Sequence, residues 1–457
     1  MTELSQSNTA SRSLAAERAR KVKAGLRRRH MTEKIFRGLG IAAIVAALGF
    51  VALLFTDVLS KGIPAFTQAN LHLEVAYDPA IIKLTPAPVR EVGQSDAGFE
   101  QANLKWRSSL VLLNWNKVLE VAMRKSAPAD YDIDTRQLLT IPETNARHIL
   151  RERYVEDPGL LGKTISIDLV ASANVDNWVK GNIDRDLPDA QQQLGADARA
   201  LTDFFAENGT LTKDFATGIF TNVDSRAAPA SAGLAGAFMG SVYMMLVVII
   251  LAVPIGVASA IYLEEFAKKS RLTDIIEVNI NNLAAVPSIV FGLLGAAVFI
   301  NFFHLPISAP LVGGMVLTLM TLPTIIIATR AALQSVSPAL RQAALGLGAS
   351  RTQMVFHHVL PVTFPSILTA TIIGVAQALG ETAPLLLIGM NAFVASVPAS
   401  PLDQATALPV QIFLWNGNEN RNFFEARTSA AIMVLLGLMI LLNAIAIFLR
   451  TRLERRA

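Results

Sequence analysis

Apolar residues along this chain collect in six long runs: Gly38 to Phe55, Leu234 to Leu263, Val286 to Phe303, Ala309 to Thr329, Ser366 to Met390 and Ala430 to Leu449. A helix of roughly 20 apolar residues crosses the hydrocarbon of a bilayer. Only helices and closed barrels satisfy their backbone polar groups there. These runs are too long and too uniform for barrel strands, so the pattern predicts six membrane-spanning helices. The first run could instead be a signal peptide. Its polar leader exceeds 30 residues, and FTDVLSKG follows it with no small-residue cleavage pattern; it reads as a retained anchor.

Between the first two runs the pattern changes. Residues 57–232 have the mixed composition of a soluble domain, with acidic residues outnumbering basic ones. KTISIDLVAS alternates apolar and polar positions and predicts a strand. KWRSSLVLLNWNKVLEVAMRK and DARALTDFFAENG predict helices, the second stopping at Gly209. The segment is expected to be a mixed α/β domain with AAPASAG (Ala227 to Gly233) as its exit linker. PGLLGKT (Pro158 to Thr164) imitates a phosphate-binding loop but has two residues between its glycines where that loop needs four; it reads as a turn into the strand.

Composition supports a membrane protein. Hydrophobic residues make up 52% of the chain and charged residues 17%, against about a quarter charged in soluble domains. With no cysteine, disulfides and thiolate metal sites are excluded. Charge placement sets the orientation. Residues 1–37 hold ten Lys/Arg against three Asp/Glu. Such a leader could bind nucleic acid, but next to a span it fixes the N-terminus in the cytoplasm and touches anionic lipid. Six crossings then return RTRLERRA (residues 450–457) to the cytoplasm, with KKSR (Lys268 to Arg271) and the loop of Arg330, Arg341 and Arg351 also inside. Residues 57–232 fall outside, and 233–450 form the main membrane domain.

The inner loop at about 331–364 is more than a connection. AALQSVSPALRQAALGLGASRTQMVFHHVLPVTFP carries apolar residues at helical spacing, interrupted by GLGAS. Two short helices at a glycine turn would make a knob that transmits a push from a soluble partner; the plainer alternative is an amphipathic hairpin on the bilayer surface. The loop resembles the ATPase-docking motif of ABC importer permeases: Glu-Ala-Ala, three residues, Gly, nine residues, Ile, one residue, Leu-Pro. Gln342-Ala343-Ala344, Gly348, His358 and Leu360-Pro361 keep every spacing, with Gln342 in place of Glu and His358 in place of Ile. LAAVPSIVFGLLG (Leu283 to Gly295) and ALGETAPLLLIG (Ala378 to Gly389) narrow the resemblance to phosphate-specific permeases of the PstA type.

Five further positions, Arg330, Gln377, Glu381, Thr382 and Ser288, are candidates for the translocation path or its gate. Gly374, Gln377 and Glu381, at i, i+3 and i+7, are expected on one face of a helix, with Thr382 beside them and Pro384 kinking its outer end. A carboxylate within a span is costly and functional by default. Its sign makes Glu381 a poor phosphate ligand, leaving a gate, a protonated or arginine-paired group, or an interhelical hydrogen bond. Arg330 suits an anion through its planar fork, or else marks the cytoplasmic boundary. A direct Arg330–Glu381 pair is not expected, since about 24 Å of helix separates Glu381 from Pro365. Ser288 follows Pro287 at a helix start, where it caps or offers a hydroxyl to the path.

The resemblance implies an all-α integral membrane domain of six transmembrane helices, the type I ABC importer permease fold, with the inserted mixed α/β extracytoplasmic domain. It implies a non-catalytic subunit importing inorganic phosphate through the bacterial inner membrane. Its implied partners are a second permease (PstC type), a dimeric cytoplasmic ATPase (PstB type) that holds ATP and Mg, and an extracytoplasmic phosphate-binding protein (PstS type). The chain itself shows no catalytic or metal constellation. A permease for molybdate, sulfate or phosphonate, and a membrane-anchored sensor, are the alternatives.

Overall fold

The computed structural model describes residues 2–128, 131–392, 394–419 and 421–454. Two compact units emerge. The first, ending at Ser60, is carried by one long helix, α1 (Thr2–Gly62), whose apolar run exposes Ile41, Leu48, Phe50 and Leu53. The second comprises the mixed α/β segment and a helical bundle.

Three antiparallel strands in the order β2-β1-β3 form the sheet: β1 (Thr67–Ala76), β2 (Thr164–Val170) and β3 (Leu211–Phe215). Alternation along β1 puts Leu71, Leu73 and Val75 into the core, because successive side chains point to opposite faces. There they meet Trp115, Leu150, Tyr154 and Phe205. The stretch read as one helix over 105–125 is two, Asp96–Val111 and Trp115–Ser126. The chain turns between them, and the Trp115 Nε1–H donates to the Leu110 carbonyl at 2.8 Å. Leu160 to Lys163 is a turn into β2, with Gly162 at φ 75°.

Among the described residues, five helices are long and apolar enough to cross a membrane, or six if a bent pair counts as one span. Three pack as the bundle's centre: α2 (Ala235–Ile261), α5 (Pro310–Gln334) and α7 (Leu360–Gly380). Small residues let them approach. A Cβ on Gly314 would lie 2.5 Å from Val247 Cβ, and one on Gly256 2.8 Å from Ile325 Cγ2. The last span lies in α8 (Arg421–Glu454).

Two spans differ from the expectation. The run from Val286 is only the second arm of a pair bent by 102°, α3 (Arg271–Ala284) and α4 (Ser288–Gly295), the latter continuing as a π-turn to Phe302. Pro287, with ψ 136°, breaks the ladder because it lacks a donor and disfavours a helical predecessor. The run from Ser366 to Met390 is not one helix either. α7 starts at Leu360 and ends at Gly380, Glu381 is extended at ψ 130°, and a short helix resumes at Ala383–Leu387. Because α7 stops before Glu381, that residue is not on one continuous helix face with Gly374, which is buried, and Gln377, which is exposed.

Sheet and bundle are joined by a buried polar node. Arg427 of α8, 3% exposed, donates to the carbonyls of Ala232 and, at 2.7 Å, Ala230. Gln68 Nε2 also donates to the Ala230 carbonyl, and the Ala230 N–H donates to Glu143 Oε2 at 2.7 Å. Asp176 accepts from the Ala69 N–H at 2.8 Å and from Lys180 at 2.6 Å. Burial lowers the Lys180 pKa from its ordinary value, with Asp176 acting in the opposite sense. Replacing Arg427 with Leu leaves buried carbonyls without their charged donor, which costs about 3 kcal/mol. The detergent-solubilised protein is expected to melt earlier, with Arg427→Lys intermediate; unchanged melting would show that the node does not hold the two parts together.

Candidate functional site: an elbow clamped to the bundle

The segment between α5 and α7 folds as an elbow. α6 (Pro338–Gly346) is capped by Ser337, whose hydroxyl accepts from the Ala339 N–H at 3.2 Å. The chain reverses at Gly348, φ 88°, a conformation that only glycine adopts readily. It re-enters helix through a capping box: Gln353 N–H to Ser350 Oγ at 3.2 Å, Ser350 N–H to Gln353 Oε1 at 2.9 Å. A π-turn, Met354–Val359, then runs into Leu360 and Pro361 at the first turn of α7.

The inner face of this elbow has its own core of Ala344, Met354, Val355 and Val359 against Ile261, Leu333 and Val336. The outer face carries Gln342, Ala343, Gly348 and His358, all exposed, with Leu347 91% exposed at the tip.

Ion pairs fix the elbow to the bundle. Arg341 of α6 donates to Glu265 Oε1 at 2.7 Å, to the Val336 carbonyl at 2.7 Å and to the Leu333 carbonyl at 2.8 Å. The Glu265 side chain is 5% exposed and sits in the π-turn that ends α2 (Tyr262–Phe266). Next to it, Arg330 of α5 donates to Glu277 of α3 at 2.8 Å and to Glu264 at 3.4 Å, and Gln334 donates to Glu264 at 2.9 Å. Four helices are thus tied at one end. An apolar groove of about 520 Å³ opens beside the elbow, lined by Val257, Ile261, Phe356, Leu360, Phe364 and Leu368 among others.

The six motif positions from Gln342 to Pro361 and the intervening glycine therefore lie on one unit, four of them on its open face. The other candidates do not gather around Arg330. Its partners are carboxylates, so it is not an open anion ligand in this arrangement. Ser288, Glu381 and Thr382 are half-buried at the two helix breaks, while Gln377 is exposed. The helices that follow the two breaks pack closely: a Cβ on Gly292 would lie 2.7 Å from Pro384 Cα. Glu264, Glu265 and Glu277 went unread in the sequence, although paired carboxylates closing an apolar run opposite an arginine-bearing loop were the available signal.

Comparison with known proteins agrees with this geometry. Residues 252–457 match the family described as the inner membrane component of binding-protein-dependent transport systems, and residues 23–189 match a domain family of unknown function, DUF3333. The probable ABC transporter permease protein YqgI of Bacillus subtilis is 30% identical over 211 residues, 44% of this chain and 70% of that one. The chain belongs to the ABC transporter permease family. Its relative YqgH, from the same organism, is 31% identical over 232 residues, 49% of this chain and 72% of that one. The phosphate transport system permease protein PstA of Yersinia pestis is 32% identical over 197 residues, 43% and 65% of the two chains. This permease is accordingly a multi-pass inner membrane protein.

Removing Arg341 strands the Glu265 carboxylate in a buried site, a change that costs about 3 kcal/mol or more. Arg341→Ala and Glu265→Ala are each expected to raise amide exchange across 336–359, and the double variant to cost less than the sum of the two. Strict additivity would mean that the two side chains do not act together.

Proposed function

We propose that this permease is the transmembrane subunit of an ATP-driven importer of inorganic phosphate. The observation that carries the reading is the clamped elbow on the motif Gln342-Ala343-Ala344…Gly348…Leu360-Pro361, in a chain similar to PstA. In this reading α3 and α4 form one broken span, giving six in all. The elbow and both termini face the cytoplasm, and 57–232 lie outside.

A second permease of the PstC type completes the path, the groove beside the elbow being apolar surface suited to it. Two PstB-type ATPase subunits, which hold ATP and Mg, seat against Leu347 and its neighbours, and a PstS-type protein delivers phosphate. Closure of the ATPases pushes the elbow. Because Arg341 and Glu265 tie it to the end of α2, and it is covalently continuous with α5 and α7, the push moves three helices together. The chain hydrolyses nothing itself. Arg330 holds α3 to α2 and α5 in the state described, and an anion reaches its guanidinium only where Glu277 moves aside.

Two measurements test this. Gly348→Val forces a β-branched residue into left-handed backbone, at a cost of about 1–3 kcal/mol. Co-purification of the ATPase and radiolabelled phosphate uptake are both expected to fall, with the membrane level of the chain unchanged; intact assembly and uptake would overturn the coupling role. Uptake by the unaltered complex should be displaced by unlabelled phosphate. Displacement by molybdate, sulfate or phosphonate instead would reassign the substrate and leave the permease role standing.

A further inference from the structure

Where the sheet meets the bundle, three phenylalanines form one stack. The Phe66 and Phe220 rings lie 5.8 Å apart at 10°, and those of Phe215 and Phe220 6.2 Å apart at 13°. Phe215 is 61% exposed, Phe220 48%, and Ile63, which begins the short helix that ends at Phe66, 58%. Contiguous apolar surface of this kind marks an interaction site.

Its depth follows from the bundle. Along α8 charged residues stop at Arg427 and do not return until Arg450; along α2 there are none from Ala235 to Ile261. The guanidinium of Arg427 holds the carbonyls of Ala230 and Ala232, so both apolar stretches begin at one level. The chain around Phe220 is bonded to that level: Leu234 N–H to Ile219 at 2.8 Å, Gly233 N–H to Val223 at 2.9 Å and Ala235 N–H to Asn222 at 3.0 Å. Ala216 N–H donates to the Phe66 carbonyl at 2.8 Å. Gly62, next to Ile63, packs on α8 at Ser429, Ala430 and Met433. That is about 3 to 9 Å past Arg427 along the axis.

We propose that Ile63, Phe215 and Phe220 seat in the interfacial layer of the bilayer and anchor the α/β segment on the lipid surface. Aromatic rings are favoured at that depth. Lys213, exposed two residues earlier on the same face of β3, lies about 7 Å farther out. That is within reach of headgroup phosphates, to which lysine side chains extend. The proposal rests on the bundle spanning the membrane and is independent of the transported substrate.

The chain has no native cysteine, so single nitroxide labels can be placed by Phe220→Cys, Phe215→Cys and Ile63→Cys. Val92→Cys, at a fully exposed position, serves as the aqueous reference. In the assembled transporter reconstituted into phospholipid bilayers, the ratio of collisions with oxygen to those with a water-soluble nickel chelate is measured. The three patch labels are expected to give a ratio several-fold above that at 92. A ratio equal to that at 92 would place the patch in water, and low collision with both reagents would place it against a partner protein; either result overturns the proposal. Three sites guard against misfolding of any one variant.

Discussion

A carboxylate that has lost most of its water is costly to the fold unless a cation stays beside it. Glu265 is such a group, and Arg341 is its cation. Because the arginine also holds the carbonyls of Leu333 and Val336, it cannot leave without stranding three acceptors. The elbow is therefore folded back on the ends of α2 and α5 rather than hanging from them. Its apolar tip at Leu347 projects outward because the opposite face is committed to the bundle. A knob on a flexible tether would absorb a push, whereas one clamped by a buried ion pair transmits it.

The opposite end of the bundle repeats the arrangement with different chemistry. Arg427 holds two carbonyls of the linker, and Glu143 and Gln68 hold the linker from the sheet side. Each arginine replaces water at a place where the backbone departs from regular structure. Between these ends, α2, α5 and α7 are packed through glycines, with side chains such as Val247 and Ile325 filling the space a Cβ would need. Close packing of that kind has low compliance, so displacement at the elbow and support at the linker act on one body.

Which features were legible depended on whether the signal is local. The apolar runs announce helices because lipid excludes the alternatives. Gly348 announces its turn because left-handed backbone is costly to other residues, and the spacing from Gln342 to Pro361 survives two substitutions. Strand β2 showed through its alternation, yet β3 offers only five residues, too few for period to speak. The helix over 105–125 looked continuous since nothing between Leu112 and Asn114 forbids helix; tertiary contact of Trp115 breaks it. The carboxylate partners of Arg330 and Arg341 lie more than 50 residues away in the chain. No window of sequence contains such a pair.

The two helix breaks were misread for a related reason, and they bear on the path. A continuous span carrying Glu381 would present a carboxylate along a helix face. The structure puts it at a terminus, where α7 has stopped and its last carbonyls need partners. Irregular backbone at membrane depth persists only where protein or a water-filled cavity surrounds it. Here two such places, at Pro287 and at Glu381, are followed by helices that pack on each other, Gly292 against Pro384. One break alone could be a packing accident. Two breaks on packed helices, carrying half-buried Ser288 at one and Glu381 and Thr382 at the other, put two hydroxyls and a carboxylate at irregular backbone. In the phosphate-import reading proposed above, the Ser288 and Thr382 hydroxyls would offer donors to an anion without a permanent cation. An acidic residue inside the membrane domain would then be compatible with passage of a negatively charged solute.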